Sequence, residues 1–76
     1  MEIMHLSELP LGYKGKVKEL RSYGIERRRM LDLGLVKNTP VCPLFQSPSG
    51  DPIAYLIRGT VIALRSEEAN KILVYI

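Results

Sequence analysis

The chain has 76 residues, enough for a single domain over 1–76 with one small core. A domain of this size buries only about 60% of the surface its unfolded chain exposes, which leaves little material for a deep catalytic cleft. An apolar fraction of 46%, a charged fraction of 25% and a net charge of +3 describe an ordinary globular protein with a mildly basic surface, excluding extended disorder and demanding no nucleic acid or membrane.

Cys42 is the single cysteine, so an internal disulfide and a multi-cysteine zinc site are both excluded, which fits a reducing compartment. Met1-Glu2-Ile3-Met4-His5 has neither the basic start nor the apolar run of a signal peptide. No apolar run approaches the length needed to span a bilayer. A cytoplasmic location without direct membrane insertion is therefore expected.

Leu6-Ser7-Glu8-Leu9-Pro10-Leu11-Gly12 opens the domain, with Pro10 and Gly12 marking a turn. Tyr13, Gly15 and Val17 then alternate with Lys14, Lys16 and Lys18. Period-two alternation predicts a strand over 13–20, with the first set inward and the lysines in water. A small Gly15 on the inner face implies a bend or a close backbone approach.

Residues 25–33, Ile25 to Leu33, are rich in helix formers and predict one short helix. Gly34 follows as a left-handed cap, with Leu35 folding back on Met30 as in a Schellman motif. Lys37-Asn38 reads as a turn, since Asn tolerates positive φ. Val41 to Gln46 reads as a strand in which Pro40 and Pro43 lack an N–H, so an edge or bulged strand is expected. Ser47 to Pro52 is dense in turn residues.

Strands are predicted over 53–58 and 61–65, joined by Gly59-Thr60 as a type II′ hairpin loop. Ser66 is expected to cap a short helix over 67–70, whose Glu67 and Glu68 suit the positive end of its dipole. Ile72, Val74 and Ile76 alternate along a last strand. The expected fold is mainly β: a small SH3-like barrel of about five strands, one short α-helix after the first strand and a helical turn before the last.

The candidate chemistry is sparse. His5 is the only histidine and has no evident nucleophile or acid beside it, so a surface residue is expected rather than a catalyst. Cys42, between Val41 and Pro43, reads as a small packing residue. The scattered carboxylates provide no obvious cation site, and Gly12-x-x-Gly15 is not followed by the Lys-Ser/Thr of a phosphate loop. No catalytic residue, metal ligand or cofactor is assigned.

Arg27-Arg28-Arg29 is the most conspicuous cluster. Its first reading is a solvated helix face, with Glu26 supporting Arg29 at i,i+3. A protein-docking patch ranks second. A nucleic-acid surface ranks third, because Tyr23 is the only nearby aromatic and Tyr13 is expected to point inward.

Arg29-Met30-Leu31-Asp32-Leu33-Gly34-Leu35 resembles the helix-and-cap motif of the FeoA family. Leu6, Leu9, Gly12, Gly15 and Val17 resemble its opening strand, and Gly50-Asp51-Pro52 its turn. Gly59, Ala63-Leu64-Arg65, Glu68-Ala69, Ile72 and Val74 resemble its closing hairpin and last strand. Lys37-Asn38 stands where the family often has Pro-Gly, and Pro43 interrupts a strand.

The resemblance implies a cytoplasmic accessory protein for ferrous-iron uptake, not an enzyme. It would act by contact with the cytoplasmic region of a FeoB-type GTP-dependent permease. Partner-binding candidates are Arg27 and Arg28 on the helix and Ser49, Gly50 and Asp51 in the turn. Gly12, Gly15, Arg29, Asp32, Gly34 and Gly59 are expected to be structural. The alternative is a transition-metal-binding or sensing domain related to the C-terminal SH3-like domain of metal-dependent repressors, with ligands drawn from His5 and carboxylates. Self-association stays open.

Overall fold

The computed structural model describes residues 2–76. Six strands form one antiparallel sheet: β1 Ile3–His5, β2 Gly15–Leu20, β3 Pro40–Gln46, β4 Ile53–Ile57, β5 Thr60–Leu64 and β6 Ile72–Tyr75. Helix α1 spans Gly24–Asp32 and α2 spans Ser66–Ala69; a 3-10 turn covers Leu6–Glu8. The fold is the expected SH3-like one.

Two details of the sheet differ from expectation. It has six strands, because Ile3–His5 pairs with Leu73–Tyr75 of β6. Its hydrogen-bonded order is β1-β6-β2-β3-β4-β5, so β1 and β5 remain edges and the ladder does not close. The junction of β2 and β3 is thin: only Gly15↔Val41 and Lys16↔Pro40 are in register. Pro40 and Pro43 have no N–H to extend a ladder there. The sheet instead curls, helped by irregularities between Val17 and Glu19 and between Pro43 and Phe45.

The curl lets one core draw on distant strands. Val17, Val41, Ile57, Leu64 and Val74 share a single buried cluster with Leu6, Leu9, Met30, Leu35, Tyr55, Ala69 and Ile72. Strand β3 is bulged as its prolines suggest, but it lies inside the sheet between β2 and β4. The carbonyl of Pro43 accepts the N–H of Gly12 at 2.8 Å. Tyr13 is exposed, not inward, because β2 begins only at Gly15 and Tyr13 belongs to the preceding turn.

Helix α1 ends in a Schellman pair. Leu35 N donates to Met30 O at 3.1 Å, and Gly34 N donates to Leu31 O at 2.9 Å. Gly34 has φ +95°, and Met30 and Leu35 are both buried. Asn38 follows with φ 72° in the next turn.

The β4–β5 hairpin turns on Arg58-Gly59, one residue earlier than expected, with Ile57↔Thr60 closing it. Both turn residues have positive φ, 51° and 79°, which makes the turn type I′ rather than II′. That turn follows the twist of the strands, and Arg58 accepts an uncommon conformation to provide it.

Helix α2 begins at Ser66 itself, so Ser66 is not its cap. Asp51 caps it from across the fold, its Oδ1 accepting Ser66 N at 2.8 Å. Glu68 Oε1 accepts Arg65 N at 3.0 Å from within the first turn.

Tyr55 is among the largest buried side chains. Burial, and secondarily the charge of Asp51, push its hydroxyl up to about 12 from 10.0. The folded state therefore holds this proton over a pH range in which the unfolded chain has lost it. Stability contributed by the neutral hydroxyl is intact below pH 10 and falls as pH rises toward about 12. Tyr55→Phe should flatten this alkaline loss relative to wild type in denaturation curves collected at pH steps across that window. Equal slopes for the two proteins would refute the assignment.

Candidate functional site

The arginine triplet separates once α1 is in place. Arg29 forms an ion pair with Glu68 of α2, joining the two helices. Arg27 Nη1 donates to Leu20 O at the end of β2, 3.2 Å away. Arg28 is exposed and has no ion-pair partner among the described residues. Glu26 does not support Arg29: it accepts Lys71 Nζ at 2.9 Å, because α1 packs with its Glu26 side toward the α2–β6 connection. That carboxylate in turn raises Lys71 above the ordinary lysine range.

The 47–52 turn is held by its own polar groups. Ser47 Oγ and Ser49 Oγ donate to Asp51 O at 2.7 and 3.0 Å. Gly50 N donates to Ser47 O at 2.8 Å, and the Asp51 carboxylate is engaged at the start of α2. Pro52 shares a shallow polar hollow with Arg29 and Glu68, but Arg27 and Arg28 do not line it. The structure thus does not bring Ser49, Gly50 and Asp51 together with Arg27 and Arg28 into one site.

The glycines fall at turns and at a close contact, and Asp32 at the exposed end of α1. Gly12 has φ +85° in the turn before β2, and Gly59 completes the hairpin. Gly15 is buried against Leu9, where an added Cβ would lie 3.3 Å from Leu9 Cδ2. Asp32 ends α1 and is exposed.

The outer side of β2–β5 offers a more coherent surface, which sequence reasoning missed. Cys42, Leu56 and Val61 stand in one register row across three strands. Phe45, Ala54 and Ala63 form a second row. All six are apolar, and Phe45, Val61 and Leu56 are 59%, 54% and 38% exposed. Lys14 continues the first row onto the chain entering β2, where it lines a groove of about 270 Å³ with Pro40, Cys42, Leu56 and Arg58. Lys16 pairs with Pro40 beside it.

Charge beside the first row is one-sided, whereas Ala63 of the second row borders the hollow that Glu26, Glu67 and Glu68 line. Lys14, Lys16 and Arg58 form no ion pair among the described residues. No carboxylate side chain lines the groove. The neighbouring cations on and just after β2 are already occupied: Arg21 and Lys18 both bond Glu19 and hold its carboxyl below the usual range. The signal for this surface is in the register, since its residues come from segments spread between 14 and 63.

His5 is half-buried in β1 rather than on the surface, because β1 pairs with β6 instead of fraying. Its Nδ1 is buried without a protein partner. Cys42 is half-buried on the outer face. Among the described residues, no three His, Cys, Asp or Glu side chains converge on a point where a metal ion would sit. No helix among them is long and apolar enough to cross a membrane.

These features define a small SH3-like domain with an apolar, cation-rimmed outer face. The family model of the FeoA domain matches residues 4–76. The chain belongs to the FeoA family. It is 34% identical over 69 residues to an Fe(2+) transport protein A/Fe(2+) transporter FeoB fusion protein of Porphyromonas gingivalis, covering 91% of this chain but only 8% of that protein.

Solved structures of FeoA proteins share its fold. The solution structure of the FeoA protein from Chlorobium tepidum superposes with a TM-score of 0.89 at 38% identity, over 96% of this chain and 70% of that one. FeoA of Stenotrophomonas maltophilia, crystallised with zinc, gives 0.84 at 33% identity over 93% and 88% of the two chains. That protein is described as an SH3 domain protein and a candidate activating factor for ferrous-iron transport.

Proposed function

We propose that this chain is a non-enzymatic, cytoplasmic accessory module that docks on the cytoplasmic part of a FeoB-type ferrous-iron permease and regulates it. The observation that carries this reading is the fusion relative: there a homologous segment and FeoB share one polypeptide. Physical linkage of two modules raises their effective concentration, which is useful only where the two must meet. The architecture agrees with docking, since the exposed groups form an apolar face and unpaired cations rather than a set of converging acids, bases and nucleophiles.

The test is binding of the purified chain to a full-length FeoB-type permease in nanodiscs, with and without guanine nucleotide. Saturable capture in at least one nucleotide state is expected, with a change in the rate of ferrous-iron uptake by reconstituted vesicles. Absence of capture in every state would overturn the proposal.

A further inference from the structure

The outer face of β3–β5 and the groove beside it form an amphiphilic surface. Its apolar side is Leu56, Val61 and Phe45; its charged side is Lys14 and Lys16, with Arg58 at the hairpin tip. Strands in a sheet lie about 4.8 Å apart, so a row from Val61 to Lys14 crosses roughly 14 Å. That distance suits a short segment of another chain.

We infer that this face, rather than the arginine helix or the 47–52 turn, receives an acidic segment of the permease, with apolar side chains over Leu56, Val61 and Phe45 and carboxylates reaching Lys14 and Lys16. The inference rests on the docking proposed above. Charge selects the occupant. Lys14 and Arg58 line the groove and Lys16 stands beside it opposite Pro40; none of the three is ion-paired among the described residues, and no carboxylate side chain lines the groove. Complementary charge steers encounter, while the desolvated apolar centre sets the lifetime of a complex.

A second copy of this chain fits less well. Strand β5 is an open edge flanked by Arg58 and Arg65, both exposed. An antiparallel β5–β5 pairing centred between Val61 and Ile62 would set Arg58 of each copy opposite Arg65 of the other, and like charges directly opposite are destabilising. A lipid surface fits less well too. The space between Lys14, Pro40, Cys42, Leu56 and Arg58 is a groove, suited to taking in a side chain, whereas a bilayer engages a face that projects into it.

The conformation of Arg58 agrees with this placement. A type I′ turn usually has Asn or Gly at its first central position, yet here Arg58 stands there with φ 51°. The turn thus accepts a less favourable residue and presents a cation beside the groove.

The experiment measures binding kinetics of the full chain to the full-length permease in nanodiscs at two salt concentrations. Leu56→Glu should raise the dissociation rate at least about tenfold. Lys14→Glu with Lys16→Glu should slow association and remove most of its salt dependence. Arg28→Glu serves as a control on the opposite candidate and should change the affinity less than about twofold. Arg58 is left intact because its side chain packs over Gly34.

Wild-type protein provides a readout that needs no substitution. Cys42 is the only thiol and lies in the face, so permease binding should slow its alkylation by N-ethylmaleimide. Capture of wild type and all variants with equal kinetics, and Cys42 alkylated at the free rate, would overturn this assignment while leaving the docking proposal standing. Absence of any capture would remove both. Flotation with phosphatidylcholine vesicles only when they contain phosphatidylglycerol, abolished by the paired lysine substitutions while permease capture is unaffected, would assign the face to a membrane surface instead.

Discussion

Gly34→Val should lower the urea midpoint of this protein more than any other single change at the end of α1. Two independent costs combine. At φ +95° a β-branched side chain is forced into a conformation that costs about 1–3 kcal/mol. In addition, a Cβ built at Gly34 would lie 2.6 Å from Cδ of Arg58, far inside contact distance. The Arg58 side chain would have to leave its place over Gly34.

The two costs can be separated. Gly34→Ala in an Arg58→Ala background carries only the backbone cost, so it should be less destabilising than Gly34→Ala in wild type. The difference is a direct coupling energy of about 0.5–3 kcal/mol. Additive single effects would show that Arg58 yields freely. An unchanged midpoint for Gly34→Val would refute the left-handed cap itself.

Leu6→Ala is the second large effect. Leu6 is fully buried in the core although it lies only a few residues from the start of the chain. Its 3-10 turn is tied to α2 by Ser7 Oγ donating to Asn70 Oδ1 at 3.1 Å, and Glu8 Oε1 accepts His5 N at 3.0 Å. Removing a buried leucine side chain costs about 2–5 kcal/mol, depending on how far the cavity collapses. Against a total stability of about 5–15 kcal/mol, that leaves a marginal protein. Leu11→Ala is the matched control: Leu11 is 46% exposed and its truncation should leave the midpoint nearly unchanged. Equal effects at the two positions would mean that the N-terminal segment does not pack as described.

The helix cap was readable because its whole signature is local: Met30, Gly34 and Leu35 lie within six consecutive residues. The strands with clear alternation were readable for the same reason. Strand β1 was not, since three residues contain too little alternation to distinguish a strand from an unpaired end. The hairpin was misplaced by one residue because Arg58 is an improbable occupant of a positive-φ position, and Gly59 alone fits either turn type.

Contacts across the fold were beyond local pattern. Arg29 meets Glu68, and Asp51 meets Ser66, only because the curled sheet brings α1, the 47–52 turn and α2 to one end. The outer face was hidden for a related reason. Within β4 and β5 nearly every residue is apolar, so neither strand shows which side faces water. Only the register, with Tyr55 and Ile57 inward, assigns Leu56 and Val61 to the exterior.

Strand β6 sets the order in which this domain can be made. It is the last strand in the chain, yet it lies between β1 and β2, the first two. A ribosome releases β1 and β2 long before residues 72–75 exist, and until then neither has its β6 partner. Leu6 and Val17 must wait in the nascent chain without the strand that covers them, exposed to chaperones or to other nascent chains. Synthesis stalled short of Ile72 should therefore leave a protease-sensitive intermediate, and compaction should arrive in one step once Tyr75 has cleared the exit tunnel.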